Sequence, residues 1–125
     1  MELKEYIHKN LTGNTVQTLF KKDKNKDISI TGMTLANVHA TDTVYVDLFL
    51  REKLYIRQNP IKNWDLNTNT YRDYYIMKKI EITNENTLIL EPREVDYDSR
   101  KYDLMAQLSS ADSKVDLMIN FRKEY

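Results

Sequence analysis

The chain has 125 residues, a length typical of one domain, and it contains no cysteine, which excludes a disulfide framework, a thiolate metal site and a cysteine nucleophile. Nineteen basic and nineteen acidic side chains leave no net charge to attract nucleic acid or an anionic membrane surface, so neither is expected as a partner. The two glycines and two prolines are too few for the glycine-rich loops of most phosphate sites and nucleophile elbows.

The N-terminal segment Met1–Leu11 is the one helical candidate. Leu3, Ile7 and the last residue of the segment recur at four-residue spacing, and Gly13 follows where a helix C-cap would sit. A helix this short needs a surface to pack on. Residues 1–14 are therefore interpreted as an N-terminal arm, which either frays or docks on a neighbouring subunit through Leu3 and Ile7.

Strands are predicted on both sides of a lysine-rich segment. Thr15–Phe20 and Asp27–Asn37 flank Lys21–Lys26, which we interpret as the solvated loop of a hairpin. Acidic residues interrupt this basic run, so it is not the footprint of a nucleic-acid site. Gly32, inside the second strand, predicts a β-bulge.

The clearest strand is Thr43–Arg51, in which aliphatic and mixed residues alternate. A long polar loop at 52–70 follows and contains Trp64, the single tryptophan. Tyr71 and Tyr74 come directly after it. Long loops are often functional, and Trp and Tyr are enriched at binding hot spots. These residues predict either a subunit interface or a sugar-stacking surface; alternatively, Trp64 fills one end of the domain.

The same two-residue period continues towards the C-terminus. A strand ending at Ile82 is predicted, with a bulge or bend at Lys78, and a short strand Thr87–Glu91 is closed by a proline. Lys101–Leu108 and Val115–Arg122 alternate cleanly across a turn-rich segment. They are predicted to pair as a C-terminal hairpin.

About seven short strands, polar turns and no interior helix predict an all-β fold. We expect an antiparallel β-sandwich of jelly-roll or immunoglobulin-like type that occupies residues 15–125, behind the short N-terminal arm or helix. A closed barrel is the competing architecture.

No constellation of residues in the sequence predicts chemistry. His8 and His39 have no metal-ligand spacing, and the aspartates around Asp98 lack the glycine and glutamate of a calcium loop. No serine lies on a glycine-flanked turn beside a histidine. We therefore expect a protein that is not an enzyme and has no cofactor and no metal.

A diffuse pattern of strands and turns resembles a known group of proteins. It is carried by Ile28–Asn37, Thr43–Leu48, Tyr75–Lys78, Ile80–Leu90, Tyr97–Asp98, Lys101–Leu104 and Ser109–Ile119. Over residues 15–122 the chain resembles small virion structural proteins of tailed bacteriophages, particularly marine myophages. The resemblance implies a non-enzymatic virion component that contacts other virion proteins of the capsid, neck or tail, in multiple copies or as a homo-oligomer. It supplies no catalytic residues.

Two functional hypotheses follow. The first is a capsid decoration, neck or tail accessory protein, made in the host cytoplasm and located in the virion, since the charged N-terminus has no signal-peptide pattern. The second is a carbohydrate-binding β-sandwich that stacks sugars on Trp64, Tyr71 and Tyr74.

Overall fold

A computed structural model describes residues 2–53 and 71–124 of the chain. Within these ranges the chain forms eight β-strands and one 3₁₀ turn at Pro92–Glu94. The strands are β1 (Glu2–Thr12), β2 (Gln17–Phe20), β3 (Asp27–Asn37), β4 (Val44–Lys53), β5 (Tyr71–Ile82), β6 (Thr87–Leu90), β7 (Asp103–Leu108) and β8 (Lys114–Glu124). Trp64 and residues 54–70 of the predicted loop lie outside the described residues.

The strands form two antiparallel four-stranded sheets. The first has the order β1-β8-β3-β6 and the second the order β2-β7-β4-β5. Four pairings join strands counted inward from the two ends of the chain: β1 with β8, β2 with β7, β3 with β6 and β4 with β5. One long hairpin that wraps into both sheets produces this order, which is that of an eight-stranded jelly roll. The predicted β-sandwich is confirmed, and its topology is the jelly-roll alternative.

The core lies between the inner faces of the two sheets and follows the two-residue period of the strands. On β4, Val44, Val46 and Leu48 are buried, and on β8 the alternate residues from Val115 to Phe121 are buried. Burial of each such side chain stabilises the fold by about 1.5–3 kcal/mol. A one-residue slip of β8 would exchange its apolar set for Asp116, Met118 and Asn120, so the register of this central strand is strongly specified.

The helix predicted for Met1–Leu11 is wrong. From Glu2 onward the segment lies in β1, and all residues of this strand from Glu2 to Thr12 pair in unbroken register with β8. Spacing by four residues is also a multiple of the two-residue strand period, so Ile7 and Leu11 share a face in a strand as they would in a helix. Leu11 is buried in the core and Ile7 packs against it. The strand is therefore more stable than a short helix without such packing.

Both predicted hairpins are also wrong. The strands on either side of Lys21–Lys26, β2 and β3, lie in different sheets, and so do β7 and β8 at the C-terminus. Alternation identifies the inner face of a strand but is identical for a hairpin and for a connection that crosses between sheets. Among the described strands, β4 and β5 are the one consecutive pair that is hydrogen-bonded.

Both predicted bulges are confirmed. The register of β3 against β8 shifts between Ile30 and Gly32. The register of β4 against β5 shifts between Val46 and Leu48, where Lys78 and Lys79 form the extra length of β5. Lys79 has a φ of 54°, and its backbone N–H donates a 2.7 Å hydrogen bond to the Asp47 carboxylate instead of joining the regular ladder.

Candidate functional site

The two predicted site tyrosines of β5 lie on opposite faces of the second sheet. Tyr71 is opposite Lys53 and Tyr74 is opposite Leu50, and the pairing between them is regular. Leu50 packs against the core, so Tyr74 lies on the inner side of its strand, whereas Tyr71 lies on the outer side. Tyr71 and Tyr74 therefore do not form one flat stacking platform.

The side chain of Tyr74 makes its contacts with other residues of the same chain. Its ring meets that of Tyr102 edge to face, with the centroids 5.8 Å apart. Its hydroxyl donates a 3.4 Å hydrogen bond to Glu52. These contacts attach the N-terminal half of β5 to the end of β4 and to the segment before β7.

Tyr71 belongs to a row of aromatic and cationic side chains on the outer face of the second sheet. The Arg51 guanidinium lies 3.8 Å from the Tyr71 ring centroid and 5.4 Å from that of Phe49. Tyr75 continues the row, with its ring centroid 5.1 Å from that of Phe49. Phe49 is only 1% exposed although it lies outside the core, because these side chains pack around it.

Arg51 is held in one orientation by Asp73, its cross-strand partner. Arg51 Nε donates to Oδ1 of Asp73 at 2.8 Å and Nη2 donates to Oδ2 at 3.1 Å, which is a bidentate pair. Both side chains are largely buried. The hydrogen bonds that Arg51 donates to Asp73 raise the pKa of Arg51 above its ordinary value, so the guanidinium stays charged beneath Tyr71.

Arg51 and Tyr71 form one wall of a surface cleft of about 340 Å³. Three of the six remaining lining residues are lysines: the lining consists of Thr18, Lys21, Lys22, Arg51, Lys53, Tyr71, Asp103 and Met105. No described acidic side chain forms an ion pair with any of the three lysines. The cleft therefore suits an anionic ligand, with Asp103 as the acceptor available to a hydroxyl group.

The connection after β2 is anchored where it forms this cleft. The Lys22 backbone N–H donates a 2.6 Å hydrogen bond to Asp103. Ser99, which is fully buried, donates through its hydroxyl to the Lys26 carbonyl at 3.0 Å and accepts at its own carbonyl from the Asp23 N–H at 2.9 Å. These bonds fix the lysine-rich segment beside the start of β7.

The interpretation of Lys21–Lys26 as a hairpin loop missed this cleft. In the strand order β2-β7-β4-β5, the end of β2 lies next to the start of β7, and Asp103 of β7 is opposite Arg51 of β4. The basic run and the tyrosine of β5 thus meet only through strands that are distant in sequence. No local signal predicts that neighbourhood.

His39, Asp42 and Asp112 form the one described group of histidine and carboxylate side chains close enough to share a metal ion. His39 Nδ1 accepts hydrogen bonds from the backbone N–H groups of Thr41 and Asp42, at 3.1 and 3.0 Å. The proton of a neutral ring is then on Nε2, which faces Asp42 at 3.7 Å and Asp112 at 3.5 Å. A metal on Nε2 would require the proton on Nδ1, against both donors, so the geometry of this group argues against a metal site.

The predicted interface residues of the N-terminal segment lie in β1. Ile7 is opposite Ile119 and packs against the core, so its side chain contributes to the sandwich. Leu3 is opposite Lys123 in the pairing of β1 with β8. The outward face of β1 instead presents Tyr6 and His8, whose ring centroids are 5.3 Å apart.

The outer face of the first sheet carries a row of uncharged side chains across all four strands. His8, Met118, Thr34 and Ile89 are opposite one another in turn, on β1, β8, β3 and β6. Ile89 is 69% exposed, and Tyr6, beside the row, is 68% exposed, which makes them the most exposed large hydrophobic side chains described. Exposed large hydrophobic side chains such as Ile89 and Tyr6, set beside uncharged neighbours, are typical of a contact surface.

The chain matches no protein-family model, and a search of curated proteins returns no match. In the described ranges, no helix has the length and apolar character needed to cross a membrane.

Proposed function

We propose that this protein is a non-enzymatic structural component of a tailed-phage virion, a capsid decoration, neck or tail accessory protein, that acts through protein–protein contacts. The observation that carries the proposal is the uncharged row His8–Met118–Thr34–Ile89, with Tyr6 beside it, on the outer face of the first sheet. Jelly rolls are used by viral capsid proteins and also by lectins and cupins, so the fold is compatible with the proposal.

Because the row contains no Asp, Glu, Lys or Arg, a partner that covers it removes little strongly bound water. Where the row crosses β8 and β3, at Met118 and Thr34, each of these central strands is paired on both sides, so its main chain there is already hydrogen-bonded. Contact is then made by side chains, with Ile89 and Tyr6 as the apolar and aromatic anchors. Such a surface requires no cofactor and no conformational change.

The test is whether the protein is incorporated into virus particles, measured on purified particles. Mass spectrometry of particles should detect the wild-type protein at a fixed copy number. Ile89→Lys, which puts a charge into the row, should reduce incorporation strongly. Val38→Lys is the matched control, because Val38 is also exposed but lies outside the row. Absence of the wild-type protein from particles, or equal incorporation of both variants, would refute the proposal.

The cleft beside Arg51 favours a second candidate, a carbohydrate-binding module. Its cations and Asp103 suit an acidic sugar, and Tyr71 supplies an aromatic wall. Titration calorimetry with acidic and neutral oligosaccharides tests it. Tyr71→Ala and Lys53→Ala should each weaken binding of the acidic set, while Tyr45→Ala, at another exposed tyrosine of the second sheet, should not. The absence of binding by the wild-type chain would exclude this candidate.

A further inference from the structure

The four edge strands of the sandwich differ in how they are protected. β2 and β6 have only four residues each, and β2 is also irregular against β7. β5 is long, but its register against β4 shifts at the Lys78–Lys79 bulge. β1 has eleven residues, pairs with β8 without a shift, and contains neither proline nor glycine.

An edge strand presents a row of N–H and C=O groups that are free to pair with another strand. Proteins commonly prevent this with short edges, bulges, proline or charged side chains. The other three edges have at least one of the first two of these devices, whereas β1 has none of the first three and only its charged side chains, Glu5 and Lys9 among them. The open edge of β1 is therefore the one most suited to β-strand addition.

The sequence of β1 is complementary to itself when two copies run antiparallel about Ile7. Glu5 is then opposite Lys9 of the second copy, and Tyr6 is opposite His8, each pair occurring twice. Leu3 falls opposite Leu11, and Ile7 falls opposite itself. Opposite charges and paired aromatic rings across an antiparallel ladder stabilise it.

Other registers lack this match. Centring the pair on Tyr6 places Glu5 opposite Ile7, and centring it on His8 places Ile7 opposite Lys9. Centring between two residues would set the inner face of one copy against the outer face of the other, because side chains alternate along a strand. Only the register about Ile7 keeps both cores on one side and pairs the charges.

We infer that two copies of this chain form a symmetric dimer through antiparallel pairing of their β1 strands, centred on Ile7. The two first sheets then become one continuous eight-stranded sheet. The contact is isologous, so it closes after two copies and leaves no free β1 edge. Glu5 has no described ion-pair partner of its own, and Lys9 uses one N–H to reach the Thr18 carbonyl at 2.9 Å. Both charges are thus available beside the open edge.

The chain lacks cysteine, which makes disulfide trapping a direct test. Tyr6→Cys and His8→Cys alter exposed side chains, so neither should disturb the core. In the inferred register the thiol of the Tyr6→Cys copy lies opposite the thiol of the His8→Cys copy, whereas two copies of the same variant meet only diagonally, about 7–8 Å apart. Mild oxidation should therefore give a covalent dimer from the mixture of the two variants and little from either alone.

Charge exchange supplies a second readout. Wild-type protein should elute with the mass of two chains in size-exclusion chromatography with light scattering. Glu5→Lys and Lys9→Glu should each shift it towards one chain, and the double exchange should restore the dimer. A wild-type monomer at high concentration, or equal crosslinking by each single variant, would overturn the inference. The test is independent of particle incorporation, so the dimer and the virion role can fail separately.

Discussion

The side-chain amide of Asn37 donates a 2.9 Å hydrogen bond to the main-chain carbonyl of Ile82. Asn37 ends β3 in the first sheet and Ile82 ends β5 in the second, so one buried side chain joins the two sheets. The same amide donates to the Asp42 carbonyl at 2.9 Å, and its oxygen accepts from the His39 N–H at 3.0 Å.

Asn37→Ala should destabilise the fold. It removes these bonds and leaves the buried Ile82 carbonyl without its side-chain donor, at a cost of about 1–3 kcal/mol for each buried group that loses its partner. Urea unfolding followed by circular dichroism measures the change. The control is Asn84→Ala, because Asn84 is less buried and makes one such bond, to the Ala40 carbonyl. Equal losses for the two variants would contradict the prediction.

Tyr97→Phe should leave stability unchanged or raise it by about 1 kcal/mol. Tyr97 is 8% exposed, stacks on Phe20 and has a buried hydroxyl with no hydrogen-bond partner in the described part of the chain. The phenylalanine ring keeps the stacking and removes the unpaired group. A clear loss of thermal stability in this variant would indicate that the hydroxyl has a partner.

The same residue predicts a dependence of stability on alkaline pH. Burial, followed by the nearby Asp103 and Asp98 carboxylates, raises the pKa of Tyr97 above its ordinary value of about 10. Above that pH the unfolded chain releases the phenolic proton while the folded chain keeps it, so stability falls as pH rises. From about pH 9 to about pH 11 the wild type should lose more stability than Tyr97→Phe. Parallel losses for the two proteins would argue against a perturbed Tyr97.

Asp73→Asn should weaken the link between β4 and β5. It removes the charge from the bidentate pair with Arg51, which is largely buried, and charge-assisted bonds of this kind contribute about 1.5–3 kcal/mol. Asp27→Asn is the control, because its ion pair with Arg100 is exposed and 3.5 Å long, and such pairs contribute about 0–1 kcal/mol. Chemical denaturation should separate the two variants; a smaller loss for Asp73→Asn would be inconsistent with the geometry.

Glu85→Gly should stabilise the turn between β5 and β6 by about 0.5–1 kcal/mol. Glu85 has a φ of 62°, a left-handed conformation that costs most side chains energy and costs glycine none. Its backbone N–H donates to the Asn37 carbonyl at 3.0 Å, a bond that glycine retains. Thermal unfolding checks the change. Ser109→Gly, in another connection, should not stabilise.

The strands and bulges were predictable because they leave a local signal. Alternation identified Thr43–Arg51 and Val115–Arg122, and Gly32 and the change of character at Lys78 identified the bulges. Pairing was not predictable in the same way, because the inner face of β7 has the same pattern whether its neighbour is β8 or β4. The cleft at Arg51 depends on that pairing and was missed for this reason.

The prediction of a helix at the N-terminus was wrong for a different reason. Spacing of four residues between Leu3, Ile7 and Leu11 satisfies both periods, so local pattern could not choose between them. The choice depends on β8, which lies at the other end of the chain and supplies the pairing partner. Where a sequence fits both the helical and the strand period, the pairing partner elsewhere in the chain determines which structure forms.

The position of β8 between β1 and β3 also determines when the first sheet can form during translation. β8 is the last of the eight strands to be synthesised, and neither β1 nor the N-terminal half of β3 has another described partner in the sheet. In the nascent chain, β1 therefore has no pairing partner in the sheet until β8 has left the ribosome. Removal of β8 would therefore prevent the complete first sheet from forming, and we expect a nascent chain stalled before Lys114 to be cleaved readily by protease.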